Sequence, residues 1–148
     1  MVICIGKGVY WTILIVVFGL MQLWVDIGVS LYNEPKDATL YFFVKDGVLL
    51  FFTLAVTIGV TLDYFFDDEK SKLGNLWKAT AFAFMPIAIM SFVITSYLIF
   101  SSETSDPNKI SVVNNLNISS FAMALIYATF GKAYLFYKSK KGGTLWHQ

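Results

Sequence analysis

Asp67-Asp68-Glu69-Lys70-Ser71-Lys72, running on into Leu73-Gly74, is the densest run of charge in the chain and lies near its middle. Long apolar blocks flank it on both sides. If those blocks cross a bilayer, this run is in water, and its lysines mark the side. The reading of this one stretch therefore decides the fold.

Composition agrees with a membrane setting. Of the 148 residues, 57% are hydrophobic and only 14% charged, and the mean hydropathy is +0.64. A soluble domain of this size needs a larger charged surface. The length fits one domain, a single integral membrane domain over 1–148. Net charge is +1, with no basic face for nucleic acid. The sequence contains no arginine, the residue best suited to bidentate recognition of phosphate or carboxylate.

Upstream of the charged run lie two apolar blocks. Val9 to Val25 is free of charge; Asp26 interrupts it, and apolar character resumes to Tyr32. About 20 residues at 1.5 Å each cross a roughly 30 Å hydrocarbon layer, so this block is long enough. A cleaved signal peptide, ending near Gly28-Val29-Ser30, is the rival reading of the same residues. Asn33-Glu34-Pro35-Lys36-Asp37 reads as a turn. The second block begins near Leu40, carries Lys45 and Asp46 early, and runs uncharged from Gly47 to Leu62.

Downstream, Ala79 to Ser102 has no charged residue at all. Pro86 inside it would break a helix in water but is tolerated in a spanning one. Asp106-Pro107-Asn108 forms the next turn. Asn114, Asn115 and Asn117 are too polar for lipid, so the last span is expected to start near Ile118. The expected spans are 9–32, 42–66, 78–101 and 118–137. The fold class is then an all-α membrane protein, a four-transmembrane-helix bundle. Lys7, Lys70, Lys72, Lys78, Lys138, Lys140 and Lys141 fall on one side. Lys36 and Lys109, each among acids, fall on the other. The lysine excess places both termini in the cytoplasm. The expected location is a multi-pass site in the plasma (inner) membrane of a prokaryote.

Without a hydrophobic gain between helices in lipid, small and polar residues mark the packing faces. Each block carries such a stripe at helical spacing. The first is Gly19, Gln22, Asp26 and Ser30; the second Asp46, Thr53, Thr57 and Thr61. The third is Ala81, Ala88, Ser91 and Thr95; the fourth Ser120, Ala124, Ala128 and Lys132. All four are expected to face inward or toward a partner.

Charges inside spans need placing, because a lone charge at the bilayer centre costs at least ~3 kcal/mol. Asp26, Lys45 and Asp46 fall near the outer boundary, Asp63 and Lys132 near the inner one. Lys132 can snorkel to the headgroups. Pairing is the alternative: Asp26 with Lys45 outside, Asp63 with Lys132 inside. Against the inner pair, Asp63 lies about 160° around its helix from Thr61. Asp26, with Gln22 a turn away, is the candidate ion contact.

Reaction chemistry is missing. His147 is the only histidine and Cys4 the only cysteine, so neither a multi-His metal site nor a thiol pair can form. No nucleophile elbow or phosphate-cradling glycine loop occurs. The expectation is a non-enzyme without cofactor or metal, whose partners are the lipid bilayer and another membrane protein or a second copy of itself. An accessory, assembly or immunity-type subunit follows. The alternative is a homo-oligomeric channel or small transporter lined by Gln22, Asp26, Asp46 and the three threonines.

Overall fold

The computed structural model describes residues 2–33, 47–66, 76–100 and 107–143. Among them every residue except Leu20 and Gly47 is helical, and there is no strand. The helices are α1 (Val2–Gly19), α2 (Met21–Asn33), α3 (Val48–Phe66), α4 and α5 (Pro107–Gly143). Helix α4 is composite: Leu76–Ala79, a π-helical turn Thr80–Phe84, then Met85–Phe100. Three of these are long and apolar enough to cross a membrane, four if the bent α1–α2 pair is one span.

Local sequence explains why helices form here. In lipid, each backbone N–H and C=O must bond within its own segment. The hydroxyls follow the same rule. Thr53 donates to the Leu49 carbonyl at 2.8 Å, Ser96 to Phe92 at 2.8 Å and Ser120 to Leu116 at 2.8 Å. Each leaves no proton unbonded and adds no surface that lipid must solvate. Gly47 opens α3 with φ +74°, a backbone angle that other residues adopt only with strain. Its carbonyl then accepts from the Phe51 N–H at 2.9 Å.

Two helix boundaries differ from the sequence expectation. The first span, expected over 9–32, starts at Val2 and bends by 54° at the break around Leu20. Glycine without a Cβ permits this: one built on Gly19 would meet the Phe52 ring at 2.8 Å. The Phe52 ring of α3 therefore packs directly on the α1 backbone beside the break. The last helix begins at Pro107, well before Ile118. Proline suits the first helical turn, whose N–H groups have no intrahelical acceptor. Asn117 is not solvated at a headgroup but fully buried in the helix, its amide donating to the Val113 carbonyl at 3.0 Å.

Helix α5 is the centre of the bundle. It packs on α1 along one side and on α3 and α4 along the other, and α3 also packs on α4. Pairs of side chains give the directions. Phe52 meets Phe121, and Asp63 meets Lys132, so α3 and α5 run parallel. Phe51 meets Tyr97, and Tyr64 stacks on Phe82 with centroids 3.9 Å apart, so α4 is antiparallel to α3. Lys7 reaches Phe136, and Thr12 reaches Thr129, so α1 is antiparallel to α5. The start of α1, the end of α3, the start of α4 and the end of α5 therefore share one end. Lys7, Lys78 and Lys138 all lie there. The core is one cluster centred on Leu50, Val56, Val60, Ile89, Val93 and Ala128. Around it, large apolar side chains such as Ile3, Phe18, Phe51, Leu98 and Phe130 stay exposed, as lipid-facing residues do.

Candidate functional site: a buried polar seam and a lysine clamp

Helices α3 and α5 bring the second and fourth stripes together. Thr53, Thr57, Ser120, Ala124 and Ala128 are each 0% exposed. Their small volumes let the two backbones approach closely, which is what holds helices together in lipid. Gly131 extends the seam: a Cβ added there would lie 2.6 Å from Val60 Cγ1. Thr61 sits at the edge of the seam. It donates to the Thr57 carbonyl at 2.7 Å and is 2.9 Å from the Tyr127 hydroxyl. With the Thr61 proton so committed, Tyr127 is the donor across the interface. Among the described residues, three buried polar atoms, Thr57 Oγ1, Asn114 Oδ1 and Asn117 Oδ1, have no partner.

Asp63 and Lys132 form an ion pair, with the lysine side chain 14% exposed and the carboxylate 49%. The angular argument against this pair fails for a specific reason. Thr61 and Asp63 lie roughly 80° to either side of the buried Thr53–Val60–Tyr64 line, by helical periodicity. They are therefore the two edges of one interface, and α5 reaches both, with Tyr127 at one edge and Lys132 at the other. Lys132 also lies over the Trp11 ring, 4.2 Å from its centroid. The lysine thus joins α1, α3 and α5. It is held by a carboxylate and a ring face within the bundle.

On its opposite side α5 meets α1 through Thr12 and Thr129, whose hydroxyls are 3.1 Å apart, with Thr12 donating to the Gly8 carbonyl. Gly8 makes this approach possible, since a Cβ there would be 2.5 Å from the Thr129 carbonyl oxygen. Sequence reasoning missed Thr12, Thr129, Trp11 and Tyr127. The Gly8–Thr12 spacing of four was the available signal.

Asp26 of the first stripe and Ala88, Ser91 and Thr95 of the third do not face inward. On α2 the buried face is Leu20 and Leu23, with Ile27 packed beside them, while Asp26 is exposed. The bend at Leu20 takes the α2 face out of phase with Gly19. Among the described residues Asp26 makes no ion pair; Lys45 and Asp46 lie outside those residues, as does the Gln22 side chain. On α4 the buried face is Phe82, Pro86, Ile89, Val93 and Ser96, and Ala88, Ser91 and Thr95 face out. Thr95 can do so because its hydroxyl donates to the Ser91 carbonyl at 2.9 Å. Periodicity names a stripe but not its direction, and lipid accepts a hydroxyl that is bonded within its own helix.

Among the described residues, no three side chains of His, Cys, Asp or Glu gather as metal ligands would. Cys4 is buried as a free thiol. Comparison with known proteins assigns no relative: no family model matches this chain, nor does any curated protein or solved structure.

Proposed function

We propose that this chain is a four-span membrane protein, both termini cytoplasmic, that serves as an accessory or assembly-type subunit for another membrane protein. The carrying observation is Asp26. It is an exposed carboxylate on α2, beside the exposed Trp24, Val25 and Val29. A charge on a lipid-facing surface needs a partner or an escape to water. By contrast, the hydroxyls of Thr53 and Thr61 and the Lys132 ammonium are already engaged inside the bundle, which supports a packing role for them rather than a conducting one. The α1–α2 surface, touching the rest of the bundle chiefly through α1, is the docking face in this reading. A prokaryotic plasma membrane is the proposed location, and the lysine excess at one end supports a cytoplasmic placement of that end.

A second reading keeps the same observation. In a closed ring of copies, exposed Asp26 side chains would converge on an axis and line a path for cations. Native mass spectrometry of the particle in mild detergent separates the two. A monomer, or a complex with one other polypeptide that Asp26→Asn loosens, supports the accessory role. A closed homo-oligomer, with cation flux into liposomes lost in Asp26→Asn, supports the channel and overturns the accessory reading.

A further inference from the structure

We draw no further inference here: the strongest candidate, the apolar groove of about 800 Å³ that runs along α5 between the start of α1 and the first half of α4, carries nothing, because nothing in the structure shows what covers it.

Discussion

Lys132 is the residue with the most to lose. It lies mostly inside the bundle, between the Asp63 carboxylate and the Trp11 ring. Exposed ion pairs contribute up to about 1 kcal/mol, and breaking a fully buried one costs about 3–5 kcal/mol. This pair, half exposed on the carboxylate side, belongs near the lower figure. A double-mutant cycle of Asp63→Asn and Lys132→Gln, read as unfolding free energy in detergent, is expected to give a coupling of about 1 kcal/mol. A coupling of zero would mean that each charge is solvated by itself. The two glycines near the start of α1 offer a sharper contrast. Gly8→Ala places a methyl group against the Thr129 carbonyl and is expected to destabilise by about 1–3 kcal/mol. Gly6→Ala meets nothing within 4 Å, and removing a mid-helix glycine is expected to stabilise by about 0.5–1 kcal/mol. Thermal melts of the two variants should therefore shift in opposite directions.

At the scale of elements, α4 carries the irregular geometry. Its π turn places Phe82 flat against Tyr64 and within 5.5 Å of the Tyr134 ring. Pro86→Ala restores an N–H and removes the ring that in an α-helix would collide with the Phe82 carbonyl, a collision that favours the wide turn. The expected result is nearly unchanged far-UV circular dichroism with a clear change in the near-UV aromatic bands. Loss of both signals would mean that the proline is needed for the helix itself. Helix α2 differs from α4 in having few internal partners. Its stability in isolation from a bilayer is expected to be low, since a helix of this length is marginal without packing. Hydrogen exchange in detergent should find α2 exchanging fastest and the α3–α5 seam slowest.

For the whole molecule, the lysine-rich end is the feature from which the proposed orientation follows. In a Cys4→Ser background, Asn108→Cys and Ser139→Cys place single thiols near opposite ends of α5. A membrane-impermeant maleimide applied to intact cells is expected to label the first and to reach the second only after permeabilisation. The reverse pattern would invert the bundle. Labelling of both would mean that α5 does not cross.

Much of the architecture was legible in the sequence because it follows from short-range physics. Absence of charge over a span-length block determines that a helix can sit in lipid. Lysine placement puts Lys7, Lys78 and Lys138 at a common end. The Thr53–Thr57 and Ala124–Ala128 spacings mark faces that allow close approach. Direction and contact required the tertiary structure. Asp26 and Thr95 lie on stripes as regular as that of Thr53, yet both face outward. Two matched small faces close on each other only where partner helices present them at the same depth. That the Phe52 ring of α3 packs on Gly19 beside the bend is likewise a tertiary relation. The Asp63–Lys132 pair depends on both edges of one interface being reached by the same helix. The groove depends on a gap between α1 and α4. None of these relations has a period along the chain, because each belongs to residues that sequence leaves far apart.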